Sequence, residues 1–550
     1  MATNLEKMEA AGRLSPEARR WLLAAGAAAL CLLAGAVLAL LFPGLTARPG
    51  RSVLRDTVLV LVALCALVPA LAALAPHRAA RWLEPATAEG LGAMRGWIAA
   101  ILLANVLWED LPSSAYLPRG MLDLDRHWLV GLLHGLPIGF DAFLASPAAL
   151  RVYESATALL LALALVGLFT RWTVPAAALA YLLFASIFRA YSWSYHMGLV
   201  PLYALLLLAL TPCGDAFSLD RRLRARRGLP VPPAREPTLR YGAARLLVWT
   251  GIALPYGMAG LSKLRNTGLS WWHGEHMKQM LVSTVVEPMH FDFQVTIGLL
   301  QAPGWVFGVL GLAALLGEVT FPLVLVSRLA RKVLPLLTAG MHVGILLMQN
   351  ILFPDLIAIQ AVFYDWRPLR RRLAGWLPGA RGAEAAAPGP VPATAPARHS
   401  VRSFVPQTRA MQAFLAVAFL AWATRTEKFP LSAMQMFSRP SPPEPVQFVR
   451  PLVRYEDGRV EPARFERWIG AMADTRYRWL LRDWGRHPER IALLREFLDA
   501  CARRANASPG PRVQGFVLEV RRWDFRRRPG DPGRGELVAV LRHDVAPPAP

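Results

Sequence analysis

The chain has 550 residues, 54% of them hydrophobic and 18% charged, with a mean hydropathy of +0.33 and a formal net charge of +23. An ordinary soluble protein carries about a quarter of its residues as charges, so this composition excludes one. Nucleic-acid binding is excluded as the meaning of the positive charge, because the arginines stand in short loops beside apolar segments, the pattern that orients membrane helices.

Residues 1–20 are polar, hold Lys7, Arg13, Arg19 and Arg20, and read as a cytoplasmic N-terminal tail. Apolar segments then predict spans near 21–42, 55–75, 92–108, 149–170, 173–189, 196–212, 241–263, 303–326, 333–352, 354–366 and 408–424. Most are long enough for a hydrocarbon core of about 30 Å. Segment 354–366 is shorter, carries Asp355 and reads as re-entrant. The first apolar stretch is too long for a signal-peptide core and lacks a clear cleavage site. Cys31, Cys65, Cys213 and Cys501 lie far apart and form no CxxC spacing, so neither a metal site nor a disulfide framework is indicated.

With a cytoplasmic N-terminus, alternate loops should be basic. Loop 76–91 has Arg78 and Arg81, and loop 213–240 has Arg221, Arg222, Arg224, Arg226, Arg227, Arg235 and Arg240. Arg328, Arg331 and Lys332 follow span eight, and Arg367, Arg370, Arg371 and Arg372 follow residue 366. All obey the positive-inside rule; Arg48, Arg51 and Arg55 in the first outer loop do not. The surplus of Ala, Arg, Pro and Gly over Lys and Asn suggests a GC-rich bacterial genome, hence a bacterial inner membrane.

Residues 378–400 form a Pro/Ala-rich low-complexity stretch that cannot bury enough surface to fold. Beyond the last span, "VQFVRPLVRYEDGRVEP" predicts two strands about the Asp457–Gly458 turn. "PERIALLREFLDACARRA" has helical spacing, and "RVQGFVLEVRRWDF" and "ELVAVLRHDV" alternate as a strand pair. The predicted fold is an all-α polytopic membrane helical bundle of about 9–11 spans with a small C-terminal α+β extramembrane domain. Its parts are a tail at 1–20, a hairpin at 21–91, a transmembrane domain at 92–366, a linker at 367–407, a last span at 408–424 and an outer, periplasmic domain at 430–550.

Ionisable groups inside membrane helices are costly and mark candidate sites. Lys263 ends the span at 241–263 in a chain with 56 Arg and only 5 Lys. An ammonium can give up its proton on desolvation, whereas a guanidinium cannot. The plainer reading is a snorkelling amine. Tyr256, Gly260 and Lys263 share a helical face, with Gly260 admitting another backbone or a ligand, and the aromatic "SWWHGEH" after them, with Trp271 and Trp272, is suited to lie at the interface as a lid. His196 begins a span after Tyr195, in an aromatic stretch that also suits an interfacial belt. His342 stands mid-span with Gln349 two turns on, and a packing histidine is the plainer alternative. Glu318 lies deep in its span, at a depth that argues against pairing with Lys263, and Glu109 sits toward the outer side. A pocket opening outward and into lipid would suit an amphiphilic, lipid-soluble substrate. No GxxxxGK[ST], GxSxG or HExxH motif is present.

"LPYGMAGLSKL" followed by "WWHGEHM" resembles a helix end of the vitamin K-dependent γ-glutamyl carboxylases, where A-G-x-x-K-L precedes W-x-x-G. "GMHVGILLMQNILFPDLIAIQAVFYDW" is similar to their histidine-bearing helix, and "YSWSYHMGLVPLYALLLLALTPCGDAFSLDRR", "GLFTRWT" and "YLPRG" also match. The resemblance covers roughly residues 90–366 and is to the HTTM membrane-domain superfamily. It implies a reduced vitamin K or menaquinol-type quinone, O2 and CO2 as co-reactants, no metal, and a protein or peptide glutamate as acceptor beside the lipid bilayer. It implies Lys263 as the initiating base and His196 and His342 as positioning or charge-stabilising groups. Tyr195, Tyr256, Gly260, Trp271, Trp272 and Gln349 are the implied quinone neighbours. Tyr195 stands where the carboxylases have Asn, and Ser262 where they have a second lysine. Two readings stay open: a quinol-dependent oxygenase or carboxylase, and a non-catalytic membrane scaffold or lipid-binding protein with a partner-binding outer domain.

Overall fold

The computed structural model describes residues 53–123, 128–191, 197–287, 291–366, 401–441, 444–469, 480, 489–531 and 533–545. The expected span at 21–42 and the linker at 378–400 lie outside the described residues. The helices that carry the argument are α1 (Val53–Ala73), α2 (Ala88–Trp108), α3 (Pro147–Val166), α4 (Thr170–Tyr191), α5 (Leu199–Leu208) and α6 (Leu239–Asn266). They continue as α7 (Gly274–Val285), α8 (Gly304–Thr320), α9 (Arg328–Gln349), α10 (Pro354–Ala358), α11 (Val405–Ala423) and α12 (Glu489–Asn506).

Polar caps start these helices where the apolar pattern begins. Thr87, Ser146, Thr238 and Ser327 each accept the backbone N–H three residues on, satisfying a donor that the first helical turn leaves free. Among the described residues, six helical segments are long and apolar enough to cross a membrane: 55–73, 88–108, 147–166, 170–190, 304–325 and 328–349. Their outward faces are apolar, with Leu61, Leu107, Val152, Leu159, Val309 and Leu336 all exposed. That is the inverse of a soluble bundle and suits hydrocarbon, where only a helix or closed barrel satisfies its own backbone.

α6 and α11 are not among the six. α6 has 28 residues, carries Arg240, Arg245, Lys263 and Arg265, and buries most of its length. It is the central post of the bundle. Segment 354–366, expected to be re-entrant, is one short turn of α10 continued as a 3₁₀ helix at Ile359–Phe363. It starts after Asn350, which ends α9 in the left-handed conformation. Trp97 and Trp249 clamp it by donating to the Ala358 and Val362 carbonyls at 2.8 and 3.3 Å.

The C-terminal unit is a four-stranded antiparallel sheet in the order β4-β3-β5-β6. Its strands are β3 (Val446–Tyr455), β4 (Val460–Pro462), β5 (Val513–Trp523) and β6 (Glu536–Asp544), with α12 against it. The expected turn, helix and strand pair are all present. The sheet also packs on the bundle: Val446, Phe448, Trp523 and Phe525 share a core with Val282, Val286 and Leu300, and Glu287 Oε1 accepts the Val449 N–H at 3.0 Å.

The expected domain start at 430 moves. A two-stranded hairpin, β1 (Glu427–Lys428) and β2 (Leu431–Ser432), and the residues to Ser438 dock against the bundle instead. Tyr203 donates to the Pro430 carbonyl. Ser262 donates to Ala433 O at 2.6 Å, Asn266 to Ser438 Oγ at 2.7 Å, and Trp271 to Phe437 O at 2.7 Å. Sequence reading assigned this stretch to the domain after the last span; its contacts to the bundle run through backbone carbonyls, which leave no residue pattern.

Candidate functional site

Lys263 lies in the last turn of α6 and is 4% exposed, which removes the snorkelling reading. Its Nζ stands 2.8 Å and 2.7 Å from the two carboxylate oxygens of Glu318 on α8. The expectation that Glu318 lies too deep to pair with Lys263 is therefore corrected. The cause is a close helix crossing. A Cβ on Gly260 would sit 2.7 Å from Val319 Cγ2 and 2.8 Å from Val319 N, and one on Gly257 would sit 2.6 Å from the Pro322 ring. With these two glycines α8 touches the α6 backbone, and the four-carbon lysine stem covers the remaining depth.

The pair is enclosed by apolar and aromatic groups. Nζ lies 5.3 Å from the centre of the Trp271 ring, a cation–π distance. Trp271 is buried with Met277, Met280, Leu281, Phe307 and Leu315. Trp272, expected to belong to the same lid, is 37% exposed. The aromatic stretch is a 3₁₀ turn at Gly268–Trp272 leading into α7, and Gly274 packs directly on the Gly304 backbone.

A second group of polar side chains lies two turns earlier along α6. Tyr256 Oη and His342 Nε2 are 3.1 Å apart. Gln360 Nε2 donates to Tyr256 Oη at 2.8 Å and to Leu356 O at 3.0 Å. Phe353 stands edge-on to the His342 ring, and Phe321 packs on Tyr256 at 4.6 Å. The Lys263 charge is near enough to act on the His342 imidazole, and Glu318 and Asp355 are near enough to act on the Tyr256 hydroxyl. The two groups thus form one buried polar region between α6, α8, α9 and α10.

Several buried side-chain atoms on α9, α10 and the 3₁₀ turn after it have no hydrogen-bond partner: His342 Nδ1, Gln349 Oε1, Gln360 Oε1 and Asp355 Oδ1. Buried polar groups are normally satisfied, so these atoms call for a ligand or water. They offer imidazole, amide and carboxylate atoms, a set that suits a hydroxyl-bearing ligand or water.

Sequence reasoning did not single out Asp355, Gln360 or Arg189 as site residues. Asp355 Oδ2 accepts the Gly198 N–H at 2.7 Å. Arg189 donates to Ala185 O at 3.1 Å and to Met197 O, and lies 4.1 Å from the Phe429 ring centre. Asp355 was legible only as a charge in a short apolar segment. Glu109 caps the C-terminal end of α2 near Glu154, away from the Lys263–Glu318 pair. His196 and Tyr195 lie outside the described residues.

Fold and site together define a largely helical protein with, among the described residues, six apolar helices of membrane-crossing length and a buried lysine–glutamate pair where one of them, α8, crosses the central post α6. In comparisons with protein families, curated proteins and solved structures, none matched the chain.

Proposed function

We propose that this chain is a multi-pass bacterial inner-membrane enzyme, similar to the γ-glutamyl carboxylases of the HTTM superfamily, that acts on a reduced naphthoquinone-type quinol. The observation that carries the reading is the isolated Lys263–Glu318 pair, buried beside His342. When bound, a hydroquinone supplies the electrons that activate O2, toward carboxylation of a glutamate with CO2. His342 Nδ1, Gln349 and Gln360 are the groups that would hold its oxygens. Lys263 and Glu318 handle the proton. Shifting it from Nζ to the carboxylate keeps the pair's total charge at zero, so the shift meets little desolvation penalty. It frees the amine lone pair, which accepts a hydroxyl proton. Trp271 and the carbonyl-rich segment 433–438 keep water from that amine.

Orientation follows from charge. The basic loop 213–240 meets the start of α2, where Glu89 N donates to Ala234 O and Arg235 pairs with Glu89. The C-terminal unit meets the segment after the other end of α2, where Arg504 lies over Tyr116. The positive-inside rule then puts the sheet on the periplasmic side.

The test supplies purified protein with reduced vitamin K and oxygen and measures epoxide. Lys263→Arg keeps the charge but not the transferable proton, and should lower epoxide yield by roughly 10²-fold or more. Full yield from that variant, or none from the unaltered chain, overturns the reading. The second reading, a non-catalytic scaffold or lipid-binding protein, is favoured by the close matching of Lys263 to Glu318, since an ion pair is also how a merely structural lysine is buried.

A further inference from the structure

Two arginine clusters lie at the end of the bundle where α2 and α6 begin, and they differ in how they are neutralised. In the first, Arg328, Arg331 and Arg245 converge on Glu84, at 2.9, 2.9 and 3.7 Å. In the second, Arg222, Arg224 and Arg226 stand on a short exposed helix at Leu219–Arg226 and Arg227 caps its end, and none has an acidic partner among the described residues. The carboxylate on the same helix is already used: Asp220 accepts from Phe169 N at 2.6 Å, Thr170 N at 2.7 Å and Thr170 Oγ1 at 2.7 Å.

Those bonds hold a platform. Phe169 and Phe217 are both non-glycine residues in the left-handed region, with φ of 50° and 47°. The turn carrying Phe169 is held by Asp220, and the Phe217 carbonyl accepts from buried Arg95 at 2.6 Å. Each ring is turned outward, Phe169 62% and Phe217 47% exposed, next to Trp172 at 72%. Outward aromatics beside unneutralised arginines, at the ends of α3 and α4, match an acyl–headgroup boundary: apolar rings for the chain, guanidinium forks for the phosphate.

We propose that Arg222, Arg224, Arg226 and Arg227, with Phe169, Trp172 and Phe217, form a binding platform for anionic phospholipid, selected by its phosphate and net negative headgroup. In the Glu84 cluster three guanidiniums already share a carboxylate, so it offers a phosphate less open cation than the second cluster. The assignment is independent of any chemistry at Lys263.

The test reconstitutes the full chain in nanodiscs of equal phosphatidylglycerol and phosphatidylcholine, re-extracts it, and measures retained lipid by native mass spectrometry. The unaltered chain should retain phosphatidylglycerol in excess, and the variant with all four arginines changed to Gln should lose on the order of tenfold of that excess, a conservative figure for four surface cations. The four-lysine variant should keep the excess. Arg328→Gln with Arg331→Gln should leave it unchanged, which separates headgroup binding from a general loss of fold. Equal retention of the two lipids by the unaltered chain, or an undiminished excess in the four-glutamine variant, overturns the proposal. Displacement of the excess by soluble glycerol phosphate would mark a free-anion site and overturn it as well.

Discussion

Two charged groups sit two residues apart on α6 and are built in opposite ways. Arg265 donates to the Trp422 and Ala423 carbonyls at 2.5 and 3.0 Å and lies 3.4 Å from Asp56. Asp56 also takes both oxygens' worth of contact from Arg425 at 2.6 Å, and Arg55 donates to the Arg265 and Asn266 carbonyls at 2.8 Å. This network ties the start of α1, the end of α6 and the end of α11 together through guanidinium forks that never release a proton. Lys263 has one carboxylate and an aromatic face. The first arrangement spreads charge over many acceptors and fixes geometry; the second leaves a single proton between two groups. The choice of Lys over Arg at 263 follows that division.

Breaking the Lys263–Glu318 pair should have the largest effect. Glu318→Ala leaves a buried ammonium without a counter-charge and should cost about 3–5 kcal/mol. Replacing both partners with apolar residues, Lys263→Met with Glu318→Leu, should recover most of that loss. Chemical or thermal unfolding in detergent measures both, and equal destabilisation of single and double variants would show that the charges are not matched to each other. Asp56→Ala should cost less, about 1.5–3 kcal/mol, because Arg265 and Arg425 keep their other acceptors. It should leave epoxide formation unchanged, so a parallel loss of activity would erase the distinction between the two sites.

The smallest effect concerns the hairpin beside the site. Burial raises the Glu427 carboxyl above its ordinary value, against the Ser432 hydroxyl at 2.7 Å and the Gln435 N–H at 3.1 Å. A raised folded value means the folded state holds the proton more tightly. The stabilisation is therefore complete below the ordinary carboxylate range, roughly pH 4.3, and is lost as pH rises through the folded value. Glu427→Gln should flatten that part of the melting temperature against pH, by an amount equivalent to about 1 kcal/mol or less. An unchanged slope would place the titration elsewhere.

The C-terminal sheet and the membrane-length helices were legible along the chain because each is set by local period. Val446–Tyr455 and Val513–Trp523 alternate, and the runs at 147–166 and 304–325 are long and predominantly apolar, broken only by Arg151, Glu154 and Glu318 among charged residues. Gly260 was visible as a place for close approach, but not that the approaching chain would be Val319. The depth argument that separated Glu318 from Lys263 assumed helices in parallel register, and the glycine crossing invalidates that assumption.

From the sequence alone follow the class of molecule, the scarcity of lysine, the burial-prone position of Lys263 and the outline of the C-terminal sheet domain, because hydrophobic period and side-chain chemistry are properties of neighbouring residues. Only the tertiary structure decided that Lys263 meets Glu318, that Tyr256 meets His342, and that backbone carbonyls of 433–438 close over α6. Those contacts join segments 55, 86 and 171 positions apart, and which distant groups meet is set by how closely helices can cross and by which buried donors still need an acceptor.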